Sequence, residues 1–127
     1  MTKEAVLTAN APAPIPQLSQ AIKANGMVYC SGQIGVDPAT GKFVEGAVTD
    51  RARQILKNLS AVLTAAGTSI DNVVKVNIFI TKMDDFASIN GVYDEFFTAE
   101  PKPCRTCVAV YQLPLGTDVE IECSATL

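Results

Sequence analysis

The strongest constraint on the fold is a stripe of apolar residues that recurs at helical spacing in the middle of the chain. Spacing of three and four residues places the stripe on one face of an α-helix, which must be buried against another element. Thr49 is the predicted N-cap, Asp50 suits the first turn, and Gly67 suits the left-handed position after the last turn. Lys57 and Asn58 are expected on the solvent side. The stripe consists of Ala52, Ile55, Leu56, Leu59, Val62, Leu63 and Ala66.

A strand pattern follows this helix. β-Branched residues alternate in "NVVKVNIFI", and alternation places every second side chain on the same face of a sheet. Lys75 and Asn77 are expected on the polar face. The opposite, apolar face is expected to carry Val74, Val76, Ile78 and Ile80.

The other elements give the order strand, strand, helix, strand, helix, strand, strand. "GMVYCSGQI" predicts a strand at about 27–34 with a short return strand after it, and "MDDFASINGVYDEFF" predicts the second helix. The last two strands are expected at about 105–112 and 119–126. We therefore predict an α+β or mixed α/β fold, a single domain over residues 1–127, with two helices on one face of a single sheet. The other face needs cover, so we expect self-association.

Composition excludes several kinds of site. The 127 residues include no histidine, so a Ser-His-Asp triad, a Cys-His pair and imidazole-bound zinc are all ruled out. The net charge of -3 is unlike that of proteins that hold phosphate backbones, so no nucleic-acid partner is expected. No apolar run approaches membrane-spanning length, and the N-terminal stretch lacks a signal core. We expect no membrane partner and a cytoplasmic location, with a mitochondrial one left open.

Two cysteines form a C-x-x-C pattern in "KPCRTCVAV". A redox motif of this kind needs its first cysteine at a helix N-terminus, whereas here prolines precede it and a β-rich run follows. Positions 104 and 107 differ by an odd number, so in a strand Cys104 and Cys107 point to opposite faces. Cys30 and Cys123 are isolated along the chain and offer no second pair. All four are expected to be free thiols, those of the C-x-x-C pair small and buried.

Arg105 begins a strand whose other residues are mostly apolar. Burial of an unpaired guanidinium is costly, and its planar fork suits a carboxylate. That carboxylate could belong to a ligand, or to Glu120 or Glu122 in a structural ion pair. These glutamates share one face of the last strand, where they could be solvated or could handle a proton. Spacing leaves both alternatives open.

Asn90 and Gly32 are further candidates. Asn90 falls within the apolar stripe of the second helix, where its amide needs a partner in nearby backbone or in a ligand. Gly32, in "SGQIG", permits either a close approach by a ligand or a bulge. The stretch lacks the lysine of a phosphate-binding loop.

Taken together, three stretches resemble the RidA family, also called YjgF. They are "VYCSGQIGVDPATG", "VVKVNIFITKMDDFASINGVYDEFF" and "KPCRTCVAVYQLPLGTDVEIECSA". The resemblance covers roughly residues 9–125. Its most specific motif is P-x-R-x-C followed by L-P and then V-E-I-E.

The resemblance implies a fold and a reaction. The fold would be chorismate-mutase-like, in a homotrimer with a barrel-like core and three sites in the clefts between subunits. The reaction would be hydrolysis of reactive 2-enamine and 2-imine acids, notably 2-aminoacrylate/2-iminopropanoate and 2-iminobutanoate, to 2-keto acids and ammonia. Pyridoxal-phosphate enzymes such as serine/threonine dehydratases release these substrates. The reaction would need no cofactor and no metal.

The resemblance also implies roles for individual residues. Arg105 would bind the substrate carboxylate through a bidentate pair, and Cys107 would assist through its backbone N–H. Glu120 would hold or deprotonate the attacking water. The pocket would also be lined by Gly32, Ser31 and Asn90.

One residue departs from the family pattern. The family commonly reads P-Y-S-Q-A where this chain reads "PQLSQA", so Leu18 replaces a tyrosine and a hydroxyl is lost from the pocket wall. That change favours one alternative, a non-catalytic trimer that binds 2-keto acids or similar small carboxylates. Another alternative is the endoribonuclease activity also attributed to this family, which the acidic charge and the missing histidine disfavour.

Overall fold

A computed structural model describes residues 2–127 of the chain. It contains two helices, α1 (Val48–Ala66) and α2 (Phe86–Phe96), and three single-turn 3-10 helices. The eight strands are β1 (Glu4–Val6), β2 (Ala21–Ala24), β3 (Met27–Gln33), β4 (Val36–Asp37), β5 (Lys42–Phe43), β6 (Val73–Ile80), β7 (Cys104–Ala109) and β8 (Val119–Thr126). Sequence patterns predicted the helices and five of the strands but missed β1, β2 and β4, which are all short.

Helix α1 begins one residue earlier than its predicted cap. The residue before it is Ala47, so Thr49 lies inside the first turn and the assignment of Thr49 as N-cap was wrong. Asp50 stabilises the start, because its carboxylate accepts the Ala47 N–H at 2.9 Å. Gly67 ends the helix as predicted, with a φ of 95° that favours glycine.

Six strands form one mixed sheet in the order β1-β2-β3-β8-β6-β7. Neighbours pair antiparallel except β6 and β7, which run parallel because α2 lies in the connection between them. Strands β4 and β5 form a separate small ribbon. Strand β7 is therefore an edge strand, and β8 lies in the interior of the sheet.

The core lies between the sheet and the two helices. Helix α1 packs across β8 and β3, and α2 packs beside α1. The whole predicted stripe of α1 is buried, which confirms that assignment. Leu56 is at the centre of this layer, and its replacement by alanine would cost about 2–5 kcal/mol of unfolding free energy.

Asn58 belongs to this buried layer, so its expected place on the solvent side was wrong. The residue is 1% exposed. Its amide donates to the carbonyl oxygen of Val36 at 2.9 Å and accepts from Gln54 at 2.9 Å. An asparagine that satisfies its polar atoms in this way can replace an apolar residue at a helix–ribbon contact.

An irregularity at the start of β6 changes the faces of its side chains. The pairing with β8 shifts register between Val73 and Lys75, which indicates a bulge. Val73 is consequently buried and Val74 is 40% exposed, so the expectation that Val74 shares the apolar face was wrong. From Lys75 onward the predicted alternation is confirmed, with Val76, Ile78 and Ile80 all buried.

The sheet's second face, here called the outer face, stays partly exposed within residues 2–127. Its large apolar side chains are those of Ile22, Met27, Tyr29, Phe79 and Val108. Between them lie the charged and hydrogen-bonding side chains of Lys75, Asn77, Thr106, Glu120, Glu122 and Ser124. Neither helix in the described part of the chain has the length and apolarity needed to cross a membrane.

The four cysteines form two pairs of different kinds in the structure. Cys104 pairs with Lys75 and Cys107 with Ile78, so the two point to opposite faces, as predicted. All four cysteines are free thiols, but Cys104 is exposed and Cys107 only partly buried, so the expectation that both thiols of the C-x-x-C pair are buried was wrong. Cys30 and Cys123 are not isolated in space, because they are direct partners on β3 and β8 and both are buried.

Candidate functional site

Arg105 lies on the helix side of the sheet, at its open edge. It pairs with Val76 across β6 and β7, and directly opposed residues share a face. Val76 is fully buried in the core, so the Arg105 side chain leaves β7 toward the helices. The edge position lets the guanidinium stay partly exposed while its stem is covered.

Two aromatic rings of α2 hold this guanidinium. Its central carbon lies 4.8 Å from the centroid of the Tyr93 ring and 5.4 Å from that of Phe86, which are cation–π distances. Within residues 2–127 no carboxylate lies within ion-pair distance of Arg105, and no acceptor takes a hydrogen bond from it. The alternative of a structural ion pair with Glu120 or Glu122 was wrong. The fork is held in place and free to receive an anion.

Asn90 lies on the same face of α2 as these rings. It is four residues after Phe86 and three before Tyr93, which places the three side chains in one row. The half-exposed amide makes no hydrogen bond within the described chain, so the expected bond to nearby backbone was wrong. The structure therefore brings Asn90 to the surroundings of Arg105.

Cys107 follows Arg105 on the same face and packs at the margin of the core. Burial raises the pKa of its thiol, and the nearby positive charge of Arg105 only partly opposes that shift. The thiol is therefore protonated at neutral pH and is a poor nucleophile. Its predicted role through the backbone rather than through sulfur fits this chemistry.

Glu120 lies beside Gly32 on the outer face. The β3–β8 pairing shifts register between Cys30 and Gln33, so the glycine occupies a bulge. A Cβ placed on Gly32 would lie 2.6 Å from Glu120 Oε2, closer than any real contact. Of the two alternatives for Gly32, the bulge is confirmed, and the group that lies close to its backbone is Glu120 of the same chain.

The two glutamates of β8 differ in their partners. Glu122 accepts a hydrogen bond from the Asn77 amide at 3.2 Å. Glu120 has no hydrogen-bond donor among the described residues, and burial raises its pKa, with a smaller contribution from the charge of Glu122. A carboxylate whose pKa is raised toward neutral pH is the better proton acceptor. Of the pair, Glu120 is the candidate base.

Glu120 opens into a cleft of about 440 Å³. Leu18 and Gly32 line this cleft with it. Ser31 is not among the lining residues, because its hydroxyl donates to the Ser19 carbonyl at 2.6 Å and its N–H donates to the Gln20 carbonyl at 3.0 Å. Ser31 therefore holds the loop before β2 in place.

Within one chain the candidate residues form two separate groups. Arg105 opposes Val76, whereas Glu120 opposes Phe79, and alternate residues of β6 point to opposite faces. The first group, the arginine group, is Arg105, Cys107 and Asn90. The second, the glutamate group, is Glu120, Gly32 and Leu18. A single chain cannot bring both groups to one small ligand.

Sequence reasoning missed two parts of these groups. The rings that hold Arg105 were assigned only as core residues, although their i, i+7 spacing around Asn90 carries the information. The walls of the Glu120 cleft come from the proline-rich loop and from Pro114 and Leu115, which nothing in the sequence brings together. A run of prolines before a strand indicates a rigid loop without saying what it covers.

Comparisons with known proteins show the family to which the chain belongs. The model of the family described as Endoribonuclease L-PSP matches residues 8–127. Protein mmf1, mitochondrial, of Schizosaccharomyces pombe is 52% identical, over 94% of this chain and 77% of that protein. Reactive Intermediate Deaminase A, chloroplastic, of Arabidopsis thaliana is 46% identical, over 98% of this chain and 66% of that protein. The crystal structure of E. coli TdcF with bound serine is 39% identical over 98% of each chain, with a TM-score of 0.92.

A family match over nearly the whole chain, together with these identities, settles the class of protein. The chain belongs to the RidA (YjgF) family, whose members include a protein named as a reactive intermediate deaminase.

Proposed function

We propose that this protein hydrolyses reactive 2-enamine and 2-imine acids, such as 2-aminoacrylate/2-iminopropanoate and 2-iminobutanoate, to 2-keto acids and ammonia. The observation that carries the proposal is the free fork of Arg105, which is held between two rings and has no anionic partner among residues 2–127. A ligand carboxylate is its natural partner. The relative named as a reactive intermediate deaminase and the serine bound to TdcF favour a small amino-acid-like ligand.

Arg105 anchors the substrate. Its two parallel N–H groups bind both oxygens of the carboxylate, which fixes the orientation of the molecule as well as its position. Strand β7 is an edge strand, which leaves alternate backbone N–H groups without a strand partner, and we assign that of Cys107 to the same carboxylate. The Asn90 amide, in the row between the two rings, is free to bind the imine nitrogen or the water.

Glu120 supplies the base. The enamine first takes a proton from solvent at its terminal carbon and loses one from nitrogen, which gives the imine. Water then adds to the imine carbon while Glu120 accepts a proton from that water, the C=N π bond breaks, and the nitrogen takes a proton from solvent. Glu120 returns its proton to the nitrogen of the tetrahedral carbinolamine, the C–N bond breaks to release ammonia, and the hydroxyl gives its proton to solvent as the C=O bond of the keto acid forms. The carboxylate anchor holds the imine carbon beside the water, so proximity supplies much of the rate.

The reaction requires the arginine group of one chain and the glutamate group of another. Because the two groups lie on opposite faces of one sheet, we propose a homotrimer with three sites in the clefts between subunits. The partly exposed outer face, with Tyr29, Phe79 and Val108, is the surface we assign to the trimer core. No cofactor, nucleic acid or membrane takes part in this scheme.

A coupled assay tests the proposal. Threonine dehydratase supplies 2-iminobutanoate, and the purified protein should accelerate the appearance of 2-oxobutanoate above the spontaneous rate. Arg105→Ala should lower kcat/KM by about 10²- to 10³-fold, because it removes two charge-assisted hydrogen bonds. Arg53→Ala is the matched control: Arg53 on α1 forms a partly exposed ion pair with Glu95 on α2, and the activity of the variant should equal that of the wild type.

Other outcomes identify other functions. Calorimetric binding of 2-keto acids without any acceleration of imine hydrolysis would make the protein a carboxylate-binding trimer. RNA cleavage that survives repurification and is lost in Glu120→Gln would support the activity that the family description names. The adjacent carboxylates of Glu120 and Glu122 disfavour a phosphate backbone at this cleft.

Cell fractionation decides between cytoplasm and mitochondrion, the two compartments we propose.

A further inference from the structure

Cys30 and Cys123 face each other in the core between the sheet and the helices. They are direct partners across β3 and β8, and both are buried, at 8% and 4% exposed. Hydrogen bonding between the two thiols lowers the pKa of Cys30 and raises the pKa of Cys123, while burial opposes the first shift and adds to the second. The two cysteines therefore form one interacting thiol pair.

The pairing of the strands brings these cysteines within the range of a disulfide. The Ser31 N–H donates to the carbonyl oxygen of Gln20, the residue just before β2. Neighbouring residues of a strand direct their backbone groups to opposite sides, so those of Cys30 point toward β8. Cys30 and Cys123 are thus a hydrogen-bonded pair, in which the Cα atoms lie about 5.5 Å apart. Disulfides span Cα separations of about 4.4–6.8 Å.

The thiol pair lies in the middle of a row of directly opposed residues that ends at Arg105. On one side, Cys30 pairs with Ala21 of β2. On the other side, Cys123 pairs with Val76 of β6, and Val76 pairs with Arg105 of β7. Because opposed residues on one face of a sheet are in contact, a movement of β3 against β8 at this row is passed on toward the strand that carries Arg105.

The thiol pair also borders the bulge that makes room for Glu120. The register of β3 on β8 shifts between Cys30 and Gln33, so the bulge starts at the pair itself. Gly32 lies within the bulge, and Glu120 lies three residues before Cys123 on β8. A covalent bond between the two cysteines would therefore act on the part of β3 that lies against the Glu120 carboxylate.

We propose that Cys30 and Cys123 are a redox modification site, at which a small hydroperoxide converts the thiol pair to a disulfide and thereby lowers the activity of the site at Glu120. The effect on activity rests on the proposed function, whereas formation of the disulfide does not. Cys104 and Cys107 do not take part, because they point to opposite faces of β7.

Hydrogen peroxide is small enough to reach a buried thiol and supplies the oxidation. The Cys30 sulfur, the more exposed of the two, attacks one peroxide oxygen, the O–O bond breaks, and the thiol proton leaves with the other oxygen as water. Cys30 is then a sulfenic acid. The Cys123 thiol attacks the sulfenic sulfur, the S–S bond forms, and the hydroxyl leaves with the Cys123 proton as a second water. The two sulfurs together lose two electrons, which reduce the peroxide.

Closing the disulfide requires a movement of the strands. Opposed Cβ atoms of a hydrogen-bonded pair lie about 5.5 Å apart. A disulfide holds them at about 3.8 Å. The strands must rotate toward each other, which moves the bulge at Gly32 and the carboxylate of Glu120 against it. Because a displacement of about 1 Å at a reacting group can lower the rate 10²-fold, kcat/KM of the oxidised protein should be at least about tenfold below that of the reduced protein.

Peptide mapping and the coupled assay test the proposal on the same samples. The protein is treated with hydrogen peroxide, catalase removes the excess, and iodoacetamide blocks the remaining thiols. Digestion by trypsin and Glu-C without reductant cleaves after Glu122, which separates Cys123 from Cys107. Mass spectrometry should find the peptides of Cys30 and Cys123 joined, and dithiothreitol should separate them and restore kcat/KM.

Two variants and one control locate the effect. Cys30→Ala and Cys123→Ala should each have the activity of the reduced wild type and keep it after peroxide. Either variant suffices if the other fails to fold, and the peptide map of the wild type needs neither. Cys104→Ala is the matched control: it removes an exposed thiol and leaves the buried pair, so peroxide should inactivate it as it does the wild type.

The outcomes separate this inference from the function beneath it. The proposal is overturned if no peptide joins Cys30 to Cys123, or if the loss of activity persists in both alanine variants. A disulfide that forms and leaves kcat/KM unchanged would overturn the regulatory role. If even the reduced protein hydrolyses no imine, the proposed function fails alone. Calorimetric binding of 2-oxobutanoate to the two redox forms then decides the regulation, and equal affinities would overturn it.

Discussion

The arginine group and the glutamate group place their charged side chains in contrasting environments. Arg105 stands at a sheet edge, where aromatic rings hold the guanidinium at 4.8 and 5.4 Å and leave its donors free. Glu120 stands on an interior strand, where a bulge at Gly32 makes room for the carboxylate and apolar walls take water away from it. The charge of Arg105 is held by aromatic rings, whereas the charge of Glu120 is partly removed from water.

The contrast explains which chemistry each group can perform. A supported guanidinium keeps its charge and geometry, which suits binding of a carboxylate. A desolvated carboxylate has a raised pKa and accepts protons more readily, which suits a base. Binding and proton transfer are thus prepared separately in each chain, and we propose that association of chains brings them together.

Glu120→Gln should have the largest effect of the variants that probe this contrast. It removes the base while keeping the shape of the side chain, so kcat/KM should fall by about 10²- to 10³-fold in the coupled assay. Glu122→Gln is the matched control on the same face of β8. Glu122 is bonded to Asn77, and at alkaline pH its variant should stay within about twofold of the wild type. Equal losses in the two variants would contradict the assignment of Glu120.

Local patterns in the sequence predicted much of this arrangement. The spacing of the α1 stripe predicted its buried face. The alternation of β8 placed Glu120 on the face opposite Ile121 and Cys123, and odd spacing placed Cys104 and Cys107 on opposite faces of β7. These inferences hold because side-chain direction within one element follows from its period alone. The RidA resemblance, rather than spacing, singled out Arg105.

Relations between elements could not be read in the same way. That Arg105 and Glu120 point to opposite faces depends on which strands are neighbours and in which register, and both are set by tertiary packing. The bulge at Val73–Lys75 also shifts parity, and no glycine or proline marks it in the sequence, whereas the bulge at Gly32 has a glycine as its signal. The burial of Asn58 depends on the carbonyl of Val36, 22 residues earlier in the chain.

Gly32→Ala should have the next largest effect. The added methyl would meet Glu120 Oε2 at 2.6 Å and Glu120 Cδ at 3.0 Å, so the carboxylate must move away. Because a displacement of about 1 Å at a reacting group can cost 10²-fold, kcat/KM should fall by about 10- to 100-fold. The far end of a flexible side chain gives way easily, so the free energy of unfolding should change by less than about 1 kcal/mol.

Gly91→Ala is the control for this variant. A Cβ on Gly91, in α2, would meet no atom within 4 Å. Alanine is favoured over glycine inside a helix, so this variant should be more stable by about 0.5–1 kcal/mol and fully active. Thermal unfolding and the coupled assay measure both quantities. Full activity in Gly32→Ala would show that the position of the Glu120 carboxylate beside Gly32 does not matter.

Mixing two inactive variants tests whether the two groups meet between chains. Arg105→Ala and Glu120→Gln chains are unfolded together in equal amounts and refolded. A site between subunits is then intact when one chain supplies Arg105 and its neighbour supplies Glu120, so activity should return to about a quarter of the wild-type value. Each variant refolded alone should stay inactive. If both residues acted within one chain, no mixture could contain an intact site and activity would not return.

The smallest expected effect is on pH dependence. Glu120 must be deprotonated to act as a base, so kcat/KM falls as pH drops through its pKa. Burial is the main cause that raises this pKa, and the negative charge of Glu122 raises it further. Glu122→Gln removes that charge, which lowers the pKa of Glu120. The acid limb of the pH–rate profile should therefore move to lower pH, with the rate at alkaline pH unchanged.

A distant carboxylate provides the comparison for this shift. Glu4→Gln alters the net charge by the same amount on strand β1, which pairs only with β2 at the far edge of the sheet, and its profile should match that of the wild type. High salt should reduce the shift seen in Glu122→Gln, because the charge acts through partly exposed space. An acid limb that stays fixed in Glu122→Gln would mean that the group titrating in the profile is not Glu120, and the base would then have to be sought outside the cleft.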